Sequence, residues 1–160
     1  MYIIIVGCGK IGSHLAKLLQ DDHNVVVVDK EEKNLQKLGE NFNGLTITGD
    51  GMDIETLKEA GIEKADALAV TTSNDNTNIV ISHIARKIFN LSKVVSRVSD
   101  TGKDEIYRNL GVDSVNSTAI FATVIREKII ESSFTTYLVE SNQVTTIEIK
   151  NNGHYTGKKV

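Results

Sequence analysis

The chain has 160 residues, 40% hydrophobic and 24% charged, which is enough for one globular domain with a full core. A formal net charge of −3, with the basic residues dispersed, lacks the basic face of a nucleic-acid binder, so no nucleic-acid partner is expected. The single cysteine, Cys8, excludes an internal disulfide and multi-cysteine zinc patterns, and no segment reaches the ~20 apolar residues of a membrane span. The N-terminal apolar run stops at Gly7 and lacks a basic leader, so it reads as a strand of a cytoplasmic protein.

That run, Tyr2-Ile3-Ile4-Ile5-Val6, predicts a buried strand. It feeds Gly7-Cys8-Gly9-Lys10-Ile11-Gly12, a G-x-G-x-x-G segment that opens a helical pattern. Val25-Val26-Val27-Val28 predicts a second buried strand, ending in Asp29. Each part has a physical task. Gly7 permits the tight turn, Gly9 lets a pyrophosphate approach the backbone, and Gly12 seats the helix against the strand. The helix N-terminus offers unpaired N–H groups to phosphates, and Asp29 can accept hydrogen bonds from ribose hydroxyls. Cys8 reads either as a redox-sensitive thiol or as a small buried residue, and the second reading fits the usual place of free cysteines.

A charged helix is expected from Glu31 to Leu38, then a short strand at Leu45–Thr48. Asp53 is placed to cap a helix that ends near Gly61. Ala67–Val70 predicts a buried strand, after which Asn74 or Asp75 caps a long helix with Ile81, Ile84, Ala85 and Ile88 on one stripe. Asp66 reads as a cap of the turn entering that fourth strand. Val94–Val98 is the fifth strand, a short helix runs to Leu110 and stops at Gly111, and Val112–Val115 is the sixth strand. The helix expected at Thr118–Glu131 carries apolar residues on more than one face, which favours burial against a second molecule over burial under its own chain. Thr136–Val139 and Val144–Ile149 read as two strands joined around Ser141-Asn142.

Strands alternating with helices imply an α/β fold: a Rossmann-like, doubly wound, six-stranded parallel sheet in the order 3-2-1-4-5-6. Ligands bind such sheets beyond the strand C-termini, at the switch point between the first and fourth strands. The loops there are Gly7–Gly12, Asp29-Lys30, Gly49-Asp50-Gly51 and Thr71–Asn76, with Arg97 near the end of the fifth strand.

Together these features resemble the regulator-of-potassium-conductance domain, also called the KTN or TrkA-N domain. The residues that carry the resemblance are Gly7-x-Gly9-Lys10-x-Gly12, Asp29, Gly49-Asp50-Gly51, Ala65-Asp66-Ala67, Thr71-Thr72, Asp75, Asn78 and Arg97 in Val95-Ser96-Arg97-Val98. The resemblance covers residues 1–131, and the tail resembles the start of the TrkA-C domain that usually follows. It implies a nucleotide-binding domain at 1–117, a crossover dimerisation helix at 118–133, and a truncated TrkA-C-like beginning at 134–160. It also implies a non-enzymatic regulatory subunit that binds NAD(H), ATP, ADP or AMP and gates a membrane-embedded potassium transporter or channel. Homodimers would assemble into a ring at the inner face of the membrane. Because the first strand stands at the chain's start, a separate subunit is expected rather than the tail of a fused channel.

The resemblance further implies roles by position. The Ile11 and Gly12 backbone would lie near the phosphates, with Gly7 and Gly9 in the same loop. Lys10 would reach a terminal phosphate, the alternative being a solvated lysine. Asp29 would hold the adenosine ribose, Lys30 would lie beside the adenine, and Asp50 and Gly51 would line its pocket. Thr71, Thr72 and Ser73 would border the far half of the ligand. Arg97 would offer charge to phosphate or a nicotinamide ribose, or else form a surface salt bridge.

The rival reading is an NAD-dependent oxidoreductase. Tyr155-x-x-x-Lys159 has the Tyr/Lys spacing of short-chain dehydrogenases, but Gly153 and Gly157 bracket it and destabilise the helix it needs. His14, His23, His83 and His154 are scattered without metal-ligand spacing, so no metal is expected. No serine sits in a nucleophile elbow.

Overall fold

The computed structural model describes residues 1–130 together with the strand backbones at Thr136–Glu140 and Gln143–Ile147. Six parallel strands form one sheet in the order β3-β2-β1-β4-β5-β6. They are β1 (Tyr2–Val6), β2 (Asn24–Asp29), β3 (Leu45–Thr48), β4 (Ala67–Val70), β5 (Val94–Val98) and β6 (Asp113–Asn116). The order reverses between β1 and β4, where the C-terminal ends of Val6 and Val70 lie in register. This is the crevice that a doubly wound sheet offers to a ligand.

The central strands are continuous hydrophobic runs because both faces of the sheet are covered. Alternate residues of β1 and β2 go to opposite cores. Ile4, Val6, Val26 and Val28 pack with Leu57, Leu68, Ile81 and Tyr107 on one face. Ile3, Ile5, Val25 and Val27 pack with Cys8, Ala16, Leu35 and Leu38 on the other. Each such fully buried side chain contributes about 1.5–3 kcal/mol, so the interior of the sheet is over-determined.

The elements follow the sequence pattern with local differences. The charged helix expected from Glu31 is α2 (Glu32–Leu35) followed by a tight 3₁₀ turn over Gln36–Leu38. The long helix is capped by Asn74, whose side chain accepts from the Thr77 N–H, so α4 runs Asp75–His83. Asp75 accepts instead from the Ser99 and Asp100 N–H groups, tying α4 to the loop after β5. Beyond His83 the helix opens into a π turn over Ile84–Ile88, with the Phe89 N–H donating to the Ile84 carbonyl. A π turn holds more residues than an α turn, so the apolar stripe drifts: Ile81 and Ala85 are buried while Ile88 is 52% exposed. The sixth strand begins and ends one residue later than expected, and Val112 packs into the core just ahead of it.

The remaining helices are α1 (Lys10–Leu19), α3 (Ile54–Glu59), α5 (Asp104–Leu110) and α6 (Ser117–Ile129). Asp53 caps α3, and α5 ends on the left-handed Gly111. Asp66 closes the other end of the sheet, its carboxylate accepting from the Tyr2 N–H at 2.6 Å. Asn116 caps α6, but that helix has no buried residue. Among the described residues no helix is long and apolar enough to cross a membrane. The strands β7 (Thr136–Glu140) and β8 (Gln143–Ile147) pair antiparallel. The expected turn at Ser141-Asn142, the residues after Ile147, and the Tyr155/Lys159 pair lie outside the described residues.

Candidate functional site: a cleft at the sheet's switch point

A cleft of about 550 Å³ opens above the C-terminal ends of β1, β2 and β4. Gly7 begins it. Its backbone has φ +99°, and a Cβ there would come within 2.8 Å of the Thr72 nitrogen, so only glycine fits between the two loops. Thr71 fastens the same junction, its hydroxyl donating to the Gly7 carbonyl at 2.8 Å. Gly9 differs from both: a Cβ on it would meet nothing, which leaves open space over the backbone where a ligand can approach. No side chain caps the N-terminus of α1, and its first turn holds no acidic residue. The positive end of the helix dipole and its orphan N–H groups therefore remain available to an anion.

Gly12 does not line the cleft. A Cβ on it would collide with the Gly7 carbonyl oxygen and approach the Thr71 hydroxyl within 2.6 Å. Its task is to let α1 descend onto the loop. The other residues assigned to the ligand line the cleft: Gly7, Gly9, Lys10, Ile11, Asp29, Lys30, Asp50, Gly51, Thr71, Thr72, Ser73 and Arg97.

Asp29 is firmly held, with only 9% of its surface exposed. One carboxylate oxygen accepts from the Cys8 N–H at 2.7 Å. The other accepts from the Glu31 N–H at 2.9 Å and from the Asn34 side-chain amide at 3.0 Å. The acid thus clasps the glycine turn to the start of α2. Cys8 itself is fully buried. Burial, reinforced by the Asp29 charge, pushes its thiol pKa up and keeps it neutral, which favours the small-buried-residue reading.

The opposite end of the cleft is built around Asn78, which is fully buried. Its amide donates to the Thr72 carbonyl at 3.2 Å and the Arg97 carbonyl at 3.0 Å, and its oxygen accepts from the Thr72 hydroxyl at 2.5 Å. The Arg97 guanidinium donates to the Thr72 carbonyl at 3.2 Å and to the Ser117 hydroxyl at 3.3 Å. It forms no ion pair among the described residues; its charge faces the cleft instead. Asp50 makes a local turn, accepting from the Met52 N–H at 2.9 Å. Gly51 lies so close beneath that a Cβ would strike Val6 and come within 3.2 Å of Ile81.

Sequence reasoning missed several lining residues. Asn34, Met52, Thr77 and Phe121 reach the cleft, as does Asn74 from the Thr71–Asn76 loop already expected there, and Val6, Val28 and Ile81 form its apolar floor. Asn34 had a usable signal, an amide five residues past the strand-ending acid. Phe121 had none, because it comes from α6, remote in sequence. No group of three or more His, Cys, Asp or Glu side chains that could hold a metal occurs among the described residues.

A doubly wound sheet with a glycine turn, a strand-ending acid and a cleft above the switch point defines a nucleotide-binding class of α/β domain. The TrkA-N domain family model matches residues 3–118, and the chain belongs to that family. It is 43% identical over 116 residues to the Trk system potassium uptake protein TrkA of Streptomyces coelicolor, a match covering 72% of this chain and 52% of that one. It is 35% identical over 131 residues to the TrkA homolog of Methanothermobacter thermautotrophicus, covering 81% and 60%. The chain therefore spans about half to three-fifths of the length of these relatives. Among solved structures, the GsuK protein bound to ADP is 25% identical with a TM-score of 0.69, covering 79% of this chain and 33% of that one.

Proposed function

We propose that this chain is the nucleotide-sensing domain of a regulatory subunit that gates a potassium transporter or channel. The observation that carries the reading is the cleft itself: one end has uncapped helix amides and open space over Gly9, and the other side has the fixed carboxylate of Asp29. The first suits phosphate and the second suits a ribose diol, so the ligand is NAD(H) or an adenine nucleotide such as ATP, ADP or AMP. The ADP in GsuK and the names of the potassium-uptake relatives support the same assignment. Lys10 and Arg97 supply the charge for phosphates, Lys30, Asp50 and Gly51 lie about the base, and Thr71, Thr72 and Ser73 border the rest. In this reading residues 1–117 bind nucleotide, 118–133 dimerise, and 134–160 begin a further domain. Homodimers join a ring against the cytoplasmic side of the membrane partner, and the domain senses its ligand without catalysis.

Titration calorimetry of NAD, NADH, ATP, ADP and AMP against the purified chain tests the binding, and incubation with NADH and a panel of carbonyl acceptors tests for turnover. Binding at one site per chain without NADH oxidation is expected. Turnover would replace this reading with the oxidoreductase one, and failure of all five ligands to bind would remove it.

A further inference from the structure

The hydrogen bonds around Asp29 leave its carboxylate with little spare capacity. Two carboxylate oxygens offer about four lone-pair sites. Cys8 and Glu31 backbone N–H groups and the Asn34 amide occupy three of them. The oxygen shared by Glu31 and Asn34 is full, so only the oxygen facing Cys8 can accept one more donor. A ribose presents two neighbouring hydroxyls. Asp29 as held here can serve only one of them.

Asn34 stands beside Asp29. It lines the cleft, and its amide nitrogen carries two hydrogens, of which Asp29 takes one. Its oxygen accepts from the Lys37 ammonium at 2.6 Å, which fixes the amide so that nitrogen rather than oxygen faces the carboxylate. Lys37 is anchored in turn through its carbonyl, which accepts from the Lys17 ammonium at 2.9 Å. The unused Asn34 hydrogen is thus a pre-oriented donor beside a pre-oriented acceptor.

We infer that Asn34 is a second sugar-reading residue: Asp29 accepts from one ribose hydroxyl while the Asn34 amide donates to the oxygen of its neighbour. This rests on the nucleotide-binding reading above. It makes the site selective for an intact ribose diol, because each deoxy sugar leaves one of two oriented groups without a partner.

The test pairs two variants with three ligands: ADP, 2′-deoxy-ADP and 3′-deoxy-ADP, titrated against the parent chain, Asp29→Asn and Asn34→Ala. The parent binds ADP more tightly than either deoxy form. Asn34→Ala weakens ADP about two- to tenfold, as loss of one neutral hydrogen bond would. That loss disappears for one deoxynucleotide, and the Asp29→Asn loss disappears for the other. If both variants lose sensitivity to the same hydroxyl, Asn34 acts only through Asp29 and the inference fails. A uniform penalty for all three ligands also overturns it, as does no penalty. If the parent binds no ADP while its melting transition is normal, it is the nucleotide reading that fails.

Discussion

The glycine turn and α6 sit at opposite ends of the same cleft and are built on opposite principles. Around the turn, every group is fixed from several directions. Gly7 and Gly12 admit no Cβ, the Thr71 hydroxyl holds the Gly7 carbonyl, and Asp29 is gripped by three donors. On α6 nothing is buried: Phe121, Ile125 and Ile129 are 61%, 58% and 75% exposed, and Ile130 just after it is 55% exposed. Spaced four apart, Phe121, Ile125 and Ile129 share one stripe, and the first of them also lines the cleft. The fold thus completes itself at the turn and leaves α6 for contacts outside the chain's own core. The turn is rigid geometry, and the stripe on α6 is apolar surface left exposed among the described residues.

The sharpest way to break the contrast is Gly12→Ala. The added Cβ meets backbone on the Gly7 side, so α1 must lift away from the loop. Overpacking of this kind costs about 1–3 kcal/mol or more. A urea melt should show the loss, and nucleotide binding should fall with it. An unchanged midpoint would mean the turn is less constrained than its contacts imply.

Asp29→Ala comes next. It removes the proposed ribose acceptor and leaves the Cys8 and Glu31 N–H groups without their carboxylate partner, so binding should weaken by on the order of 1.5–3 kcal/mol. The parent should also prefer NAD to NADP, since the carboxylate repels a 2′-phosphate. Equal affinities would contradict the assignment.

Lys10→Ala should be milder. A charge-assisted contact at the lower end of the range, about 1.5 kcal/mol, weakens ATP roughly tenfold. AMP, which lacks the terminal phosphate, should hardly change. If ATP, ADP and AMP weaken alike, Lys10 supplies only general positive potential.

Ile129→Lys reverses the pattern. The exposed site should leave the fold within about 0.5 kcal/mol of the parent, while a charge placed in a contact between copies should abolish a dimer seen by light scattering. A parent that is monomeric would show that α6 serves some other contact. At Cys8 the smallest effect is expected. Burial raises the thiol pKa, so the folded chain should react with a thiol reagent only as fast as it opens. The sign follows: the neutral thiol's contribution is whole below the unfolded thiol's ordinary range and is lost as pH rises through the raised folded value.

Much of this was legible because the sequence speaks through backbone periodicity. Leu45–Thr48, Ala67–Val70 and Val94–Val98 occur where expected, since runs of apolar residues bounded by turn signals leave few alternatives. The strand order followed from crossover handedness. Ile88 falls off the buried stripe because the π turn over Ile84–Ile88 adds a residue to the turn, which a 3.6-residue periodicity does not anticipate. Asn74 and Asp75 are adjacent and chemically alike, and only the reach of Ser99 and Asp100 decides which one caps the helix. Gly7 and Asp29 were readable as site residues because each stands at a strand end, and Gly9 because it opens the helix that follows. Asn34 offered only a spacing signal and Phe121 none, because their places depend on how α2 and α6 lie against the sheet.

The central claim is that an adenine nucleotide occupies the cleft above β1 and β2. Backbone amide chemical shifts, followed as ADP is added to the chain, test it most directly. The expected shifts fall on Gly9, Lys10, Ile11, Lys30, Gly51 and Met52, with the core strands and the outer end of α6 unmoved. Shifts concentrated away from those amides, or none at ADP concentrations that should saturate the site, would contradict it.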